Sequence, residues 1–428
     1  MKTKTAATVA LCASATALLG LAPLAHADTA VEALLNKLEQ KGILTVEEAK
    51  ALKAENTQDT AADFNKSFAA KMGTPDWLTS YKFGGDFRDR WDDMSSDNSS
   101  VVDRERLRYR LRFGFNLTLK DDFDIIFKLG SGDGGAVTNN QTFGVDGSKK
   151  ILYVDTAYFR WTVKNDDWTV VTSMGKMNQT MDTQMILDPD YTPEGGAVQV
   201  AYKLGRSDTL RFNSVAYALD ELSTNKRDPY LWGTQLMWDS RYSSNVSSTL
   251  GVSVYDITNQ TSLTHAYNSN SGNTIVGGNY AHSYRPVVVD ANVTFNQDST
   301  PIKLIGEYLE NQDADIDNKG WYAGFVYGKA AKKGSWDFAY RYQSLEADAW
   351  WDQIIDDDNI AAMPTSSTVA AIHGGTNVKG NWIKFNYMLT DALTFTTTIY
   401  KNTVVKNLFP INSTTDGFHS MVDLMWKF

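Results

Sequence analysis

Four arginines occupy every second position between residues 106 and 112, and the positions between them are apolar. Successive side chains of a β-strand point to opposite faces, so this spacing places the four guanidinium groups on one face. A row of permanently charged guanidinium groups can attract anions or pair with carboxylates. The basic residues that the same alternation assigns to this face are Arg88, Arg90, Arg106, Arg108, Arg110, Arg112, Arg160 and Arg211.

A second charged segment, residues 178–195, is purely acidic. It contains Asp182, Asp188, Asp190 and Glu194, with no Lys or Arg between Asn178 and Gly195. An acidic segment facing a basic wall across a narrow space of low dielectric constant would create a strong transverse field. The alternative is that the arginines only solvate their face and pair with acids on neighbouring strands, such as Asp86, Asp290, Glu307 and Asp337.

The histidines give no indication of catalysis or metal binding. Those beyond the first 27 residues are His265, His282, His373 and His419, and none has the spacing of a zinc site. His282-Ser283 and His419-Ser420 are sequence neighbours, which point to opposite faces of a strand and therefore cannot form a catalytic pair. The acidic segments 311–317 and 356–358 lack the glycine and the final glutamate of a calcium loop. We therefore expect no enzyme activity, no metal and no cofactor, and interpret both segments as acidic surface loops.

The first 27 residues predict an export signal. Lys2 and Lys4 precede an uncharged apolar stretch at 6–21, and Ala25-His26-Ala27 fits a cleavage site between small residues. Cys12, the only cysteine of the chain, follows the bulky Leu11 rather than the small residue of a lipoprotein signal. The mature chain should therefore begin at Asp28 without any cysteine, as suits an exported protein that makes no disulfide.

Composition narrows the class of protein further. Fifty-one acidic residues against 41 Lys and Arg give a net charge of −10, which argues against a nucleic-acid partner. No apolar run after residue 27 is long enough for a membrane-spanning helix. Twelve Trp, 20 Tyr and 19 Phe with only nine Pro suit a large β protein. Because no linker rich in Pro, Ser or Gly divides the chain, one large closed sheet fits better than several domains.

Alternating segments recur along residues 75–428 and predict an antiparallel β-barrel of about 16 strands. Short turns such as 121–122, 165–166 and 390–391 alternate with longer polar stretches. Apolar faces in contact with lipid and arginine faces lining a water-filled lumen are typical of an outer-membrane barrel. The predicted strands are 81–91, 104–119, 123–131, 151–163, 167–177, 196–204, 208–218, 231–241, 246–257, 286–296, 301–310, 320–330, 334–344, 380–389, 392–402 and 418–428.

The two ends of the mature chain differ in pattern. The last strand carries apolar and aromatic residues on one face and ends in Trp426-Lys427-Phe428. This resembles the C-terminal strand of bacterial outer-membrane proteins, so Trp426 and Phe428 are candidate signals for the barrel-assembly machinery. Residues 28–74 instead show helical spacing, a capping box at 45–48 and then a linker. They predict a periplasmic helical segment, either packed on itself or serving as an association element.

Two blocks of the sequence resemble the "putative porin" family of proteobacterial outer membranes. One is the N-terminal segment 34–49, and the other is Met174-Gly175-Lys176-Met177-Asn178 followed by 188–196, a D-x-D-x-x-P-E-G-like loop. The resemblance implies a diffusion channel. The alternation of short turns and long loops also resembles that of general porins, in which the third long loop folds into the barrel and narrows it. In this chain the third long loop is 178–195.

The sequence therefore predicts an outer-membrane porin for passive diffusion of ions and small hydrophilic solutes, with a basic wall facing an acidic constriction loop. The alternatives are a substrate-selective channel in which the arginines collect anions or carboxylates, and a structural or adhesive barrel with a plugged lumen. The expected partners are the lipid bilayer, lipopolysaccharide and further copies of the chain in a homotrimer.

Overall fold

The computed structural model describes residues 75–428, apart from 225, 261–262, 264–270, 298–299, 366–369 and 408–413. The predicted signal peptide 1–27 and the predicted helical segment 28–74 lie outside these described residues. Trp77–Phe428 forms one compact unit. None of the described residues belongs to a helix that is long and apolar enough to cross a membrane.

Sixteen antiparallel strands pair in chain order and form the wall of a closed barrel. Each pairs with its neighbours along the chain, and the last wall strand pairs with the first. The predicted 16-stranded barrel is therefore confirmed. The wall strands are β1 (Leu78–Ser95), β2 (Arg104–Leu119), β3 (Phe123–Gly130), β5 (Tyr153–Lys164), β6 (Trp168–Lys176), β7 (Glu194–Leu204), β8 (Asp208–Ala218), β9 (Tyr230–Arg241), β10 (Val246–Thr258), β13 (Pro286–Phe295), β14 (Ile302–Asn311), β15 (Lys319–Gly328), β16 (Trp336–Leu345), β19 (Val378–Met388), β20 (Leu393–Val404) and β21 (Gly417–Lys427).

The connections alternate between short turns at one end of the barrel and longer loops at the other. The turn after β2 is the 3₁₀ segment Lys120–Asp122, and a second 3₁₀ segment, Val145–Gly147, lies in the second loop. Three pieces of strand lie within loops: β4 (Gln141–Thr142) pairs with β2, β11 (Ile275–Val276) with β12 (Asn279–Tyr280), and β17 (Ile360–Pro364) with β18 (Ala370–Gly374). The third loop is 177–193 and the seventh loop is 346–377.

The alternation in β2 sorts its side chains as the sequence predicts. Leu107 and Phe115 face outward and are 54 % and 48 % exposed, whereas Arg110 faces the interior and is 5 % exposed. In an isolated chain the outward apolar residues are bare, and in a membrane they contact lipid, so their exposure is the feature expected of a membrane barrel. The same face continues across strands, because Phe83 pairs in register with Phe115 at a ring distance of 5.4 Å.

Exposed aromatic rings surround the barrel near both ends. Tryptophan and tyrosine prefer the boundary between lipid and water, where the ring is in an apolar region and the polar group is hydrated. Two such girdles are expected to bound an apolar band between them. Exposed aromatics near the short turns are Trp161, Trp168, Trp238, Trp336 and Trp426, and those near the loops are Tyr230, Trp232, Tyr308 and Trp321.

The largest buried apolar cluster lies within the lumen. The third loop contributes Met181, Ile186 and Leu187, and the seventh contributes Trp350 and Ile354, all almost fully buried. Two hydrogen bonds join these loops: the Trp350 indole N–H donates to the Ile186 carbonyl at 2.8 Å, and the Asp188 N–H donates to the Ile354 carbonyl at 2.8 Å. The lumen is therefore partly filled by two loops that pack on each other.

Candidate functional site in the barrel lumen

The third loop extends across the lumen to strands far from its own ends. Its Asp182 N–H donates to the Gln235 side chain of β9 at 3.0 Å, and its Met185 N–H donates to the Glu307 carboxylate of β14 at 3.0 Å. On the other side, Asp190 accepts from Arg110 of β2 at 3.0 Å. A loop bonded to β9, β14 and β2 at once occupies the cross-section of the barrel.

Two glycines form the neck of the third loop. Gly175 at the end of β6 and Gly195 at the start of β7 pair in register. Gly175 has φ +128°, and a Cβ there would lie 2.4 Å from the Ala157 carbonyl oxygen of β5. Only glycine adopts this backbone with so close a neighbour. Both glycines belong to the sequence blocks that resemble the porin family, so those blocks set the path of the loop into the lumen.

The arginines of β1 and β2 lie inside the barrel and form a dense network with carboxylates. Asp86 accepts from both Arg110 and Arg112 at 2.8 and 2.9 Å, and Asp190 of the third loop pairs with the same two arginines at 3.0 and 3.1 Å. In register, Arg88 stands directly opposite Arg110. Such a like-charge pair is destabilising unless acids intervene, and here Asp86 and Asp190 supply that charge.

The remaining basic residues each have a carboxylate partner as well. Arg90 binds Asp423 of β21 at 2.7 Å, and Arg88 lies 3.8 Å from the same carboxylate. These contacts leave no member of the predicted basic wall unpaired among the described residues. The other pairs are Arg106 and Arg108 with Asp92 at 2.5 and 3.3 Å, Arg160 with Asp124 at 2.6 Å, and Arg211 with Asp239 at 2.5 Å and Asp182 at 3.7 Å.

The predicted constriction acids separate into three environments. Asp190 binds the arginines directly, and Asp182 lies near Arg211 on the opposite side of the lumen. Asp188 is buried and has no cationic partner among the described residues; its carboxylate accepts from the Asp190 N–H at 2.6 Å. Glu194 does not join them: it is the first residue of β7, is largely exposed and lies 3.3 Å from Lys176. Alternation along β7 gives Glu194 the parity of the exposed Val198 rather than that of the buried Ala197.

The seventh loop adds acidic groups that the sequence interpretation placed elsewhere. We call Asp356, Asp357 and Asp358 the acidic tip. They were expected on a surface loop, but they line the lumen cavity beside Asp188 and Asp190. Buried apolar residues at 347–355 anchor the loop inside the barrel, which corrects that expectation. The sequence signal was available: Trp350, Trp351, Ile354 and Ile355 are unusual in a loop that faces water.

The third and seventh loops bring three carboxyl groups together. One oxygen from each of Asp188, Asp356 and Asp357 lies within 4.8 Å of the others. Burial and the neighbouring carboxylates of Asp356 and Asp357 raise the pKa of Asp188 well above its ordinary value. Burial and the charges of Asp358 and Asp356 raise the pKa of Asp357 to about 8. The three carboxyl groups therefore hold their protons more tightly than an isolated aspartate does.

Asp190 behaves in the opposite way. Burial alone would raise the pKa of its carboxyl group, but Arg110 and Arg112 outweigh burial and hold the pKa below its ordinary value. Asp190 therefore stays ionised while Asp188, two residues away, holds its proton more tightly. The difference follows from the partners of the two groups, because cations within hydrogen-bond distance favour the charged form.

The charged and polar groups surround a cavity of about 840 Å³. It extends from the acidic tip and the third loop to Asp391 and Lys427 near the short turns. On one wall the Arg341 guanidinium stacks on the Trp382 ring at 4.7 Å and lies 3.5 Å from Asp356. Eleven acidic and seven basic side chains line the cavity among the described residues.

A closed 16-stranded antiparallel barrel with a loop folded across its lumen defines the porin class of fold. The family model described as "putative porin" matches residues 96–284, which confirms the predicted resemblance. Among solved structures, Pseudomonas putida OprB at high pH is similar with a TM-score of 0.52 and 11 % identity, over 81 % of this chain and 94 % of that chain. A variant of the Rh. blastica porin is similar with a TM-score of 0.44 and 10 % identity, over 82 % of this chain and 100 % of that chain. No curated protein matches the sequence.

Proposed function

We propose that the chain forms a water-filled channel in a bacterial outer membrane, through which ions and small hydrophilic solutes diffuse passively. The porin fold and the family match support this proposal, and the charged lumen cavity carries it. A cavity lined by carboxylates, guanidinium groups and amides solvates ions and hydroxyl-bearing solutes. An apolar solute finds no favourable contacts there, and it displaces water from charged groups at a cost in free energy.

We further propose that the channel prefers cations. The arginine ladder consists of the six arginines of β1 and β2 that belong to the predicted basic wall. It pairs with five carboxylates, so little of its positive charge remains to collect anions; these carboxylates belong to Asp86, Asp92, Asp190, Asp358 and Asp423. Asp188 and Asp357 have no cationic partner within 4 Å among the described residues. Eleven acidic side chains against seven basic ones leave the lining negative when all are ionised, and the raised pKa of Asp357, about 8, makes this excess largest at alkaline pH. This pairing argues against the alternative of an anion-collecting channel.

Planar-bilayer recording of the purified protein tests both proposals. We expect stepwise conductance. Across a KCl gradient we expect a reversal potential that has the sign of the potassium equilibrium potential. Absence of current from a folded barrel would contradict the channel and favour the plugged structural or adhesive barrel. An open channel whose reversal potential has the sign of the chloride equilibrium potential would support the proposed channel and contradict the proposed cation preference.

Assembly and location belong to the same proposal. We propose export through residues 1–27, insertion by the barrel-assembly machinery that reads Trp426 and Phe428, and a homotrimer surrounded by lipopolysaccharide. The aromatic girdles support membrane insertion, because they place Trp and Tyr at two levels on the outer wall. Blue-native electrophoresis and cross-linking of detergent extracts test the trimer.

A further inference from the structure

His419 lies inside the barrel wall with both ring nitrogens against oxygen atoms. It is the third residue of β21 and is 1 % exposed. Its Nε2 lies 2.8 Å from Oδ1 of Asp92 in β1, and its Nδ1 lies 2.8 Å from the main-chain carbonyl oxygen of Asp358. The imidazole ring therefore connects the acidic tip of the seventh loop to the wall.

Both oxygen atoms require a hydrogen-bond donor. A main-chain carbonyl only accepts, and the Asp92 carboxylate is held as an anion because Arg106 and Arg108 donate to its other oxygen at 2.5 and 3.3 Å. A neutral imidazole has one N–H, so its second nitrogen would present a lone pair to an oxygen at 2.8 Å. Only the imidazolium form satisfies both contacts.

We infer that His419 is a positioning residue for ion passage: its imidazolium holds the acidic tip in the lumen and releases the tip when it loses a proton. The inference rests on the proposed function, since it takes the acidic tip to act on permeating ions. The tip touches permeating solute, whereas His419 acts through it.

The surroundings of His419 carry several further charges. The carboxylates of Asp93, Asp357 and Asp358 act on the imidazole ring in addition to Asp92. Arg106 and Arg108 lie beyond Asp92, Arg90 pairs with the Asp358 carboxylate at 3.3 Å, and the Tyr400 ring of β20 stacks on the imidazole at 5.9 Å. The arginines keep their charge across the physiological range, so among the groups bonded to Asp358 the imidazole is the one that changes charge there.

A buried reporter cysteine can measure release of the loop. Ile355 precedes the acidic tip and is buried, and Cys12 is the only native cysteine of the chain. We expect a small thiol reagent to alkylate Ile355→Cys at least about tenfold faster in the H419Q background at pH 6, because Gln carries no charge and donates through one amide group. The two rates should converge as the pH rises and native His419 loses its proton. Their ratio cancels the titration of the thiol itself.

Controls separate this role from a purely structural one. H282Q and H373Q change histidines that contact the seventh loop away from the acidic tip, His282 near Asp348 and His373 opposite Ala361, and should leave the ratio near one at both pH values. A ratio that does not change with pH, whether near one or raised, would overturn the inference. Because the readout is accessibility, it remains valid even if the protein conducts no ions.

A spectroscopic measurement covers the case in which H419Q does not insert. The full chain with Gln at the other histidine positions is labelled with ¹⁵N-histidine, leaving His419 as the only signal. Two protonated ring nitrogens at neutral pH support the imidazolium tether. A single neutral tautomer at that pH would contradict it.

Discussion

At the scale of single residues, the electrostatic potential in the lumen depends on which charged side chains have an oppositely charged partner. Asp190 and Asp188 are two positions apart, yet one neutralises Arg110 and Arg112 while the other lies against Asp356 and Asp357. Net charge is therefore a poor guide to what a permeating ion meets. The unpaired carboxyl groups of the two loops, rather than the arginine ladder, should dominate selectivity.

Asp190→Asn removes the loop charge that neutralises the arginines. We expect selectivity to shift toward anions, with the K⁺/Cl⁻ permeability ratio falling about two- to fivefold, as about 0.5–1 kcal/mol per ion at a few ångströms in water implies. The reversal potential in a KCl gradient measures the shift. Asp315→Asn, which changes an exposed acid of the sixth loop, is the matched control. An identical reversal potential for both variants would show that Asp190 does not face the ion path.

Asp357 predicts a pH dependence with a definite sign. Its carboxyl group is charged above its pKa of about 8 and neutral below it, so negative charge leaves the passage as the pH falls. At pH values where the His419 imidazolium still holds the tip in the lumen, we therefore expect cation selectivity to decrease as the pH falls in the wild type. Asp357→Asn should flatten this part of the profile, and a variant that keeps the full pH dependence would assign the titration to another group.

At the scale of elements, loop direction depends on a few strained or buried positions. Gly175→Ala places a methyl group 2.4 Å from the Ala157 carbonyl at a φ of +128°. We expect a cost of about 1–3 kcal/mol in stability, together with altered conductance because the neck of the third loop must shift. Gly196→Ala is the neighbouring control, since its Cβ would meet nothing closer than 3.9 Å. Thermal unfolding and single-channel conductance measure the two effects, and equal behaviour of both variants would refute the role of Gly175.

The wall could be predicted from the sequence because the membrane imposes a period-two pattern on every strand. Even Val246–Thr258, whose alternation is weak, forms its predicted strand. The predicted strand ends were less accurate. The first strand runs from Leu78 to Ser95 rather than from 81 to 91, because its backbone pairing with Arg104–Leu119 continues past the residues that show the apolar alternation.

Loop paths could not be predicted in the same way. The acidic tip reaches the lumen through contacts such as Trp350 with Ile186, which lie 164 positions apart. No periodic pattern encodes such a contact, although the apolar residues within the loop are a usable signal. The inward arginines were assigned by alternation, whereas their partners Asp92 and Asp423 depend on register between strands. Pairing partners therefore required the structure.

At the scale of the whole molecule, the two ends of the barrel should face different compartments. We expect an epitope tag inserted near Asp146, in the exposed second loop, to be labelled on intact cells. A tag near Lys332, in a short turn, should be labelled only after permeabilisation. The reverse pattern would show that the barrel is inserted upside down relative to the predicted topology.

The last residue closes the wall as well as ending the chain. The Phe428 N–H donates to the Gly85 carbonyl at 3.1 Å, and the Gly85 N–H donates to the Phe428 carbonyl at 2.9 Å. We expect deletion of Phe428 to lower the yield of inserted barrel, while Phe428→Tyr, which keeps an aromatic ring, inserts normally. Heat-modifiable mobility of outer-membrane fractions measures insertion. Full insertion of the deletion variant would refute the assembly role.

The pairing of β1 with β21 also affects how the barrel unfolds. An open sheet has two edge strands, whose amides exchange with deuterium first because one side of each lacks a partner. In this ring the first and last strands are flanked on both sides, like every other wall strand. Amide exchange in β1 and β21 should therefore be as slow as in the other wall strands, and the strands should become exchangeable together rather than from these two strands inward.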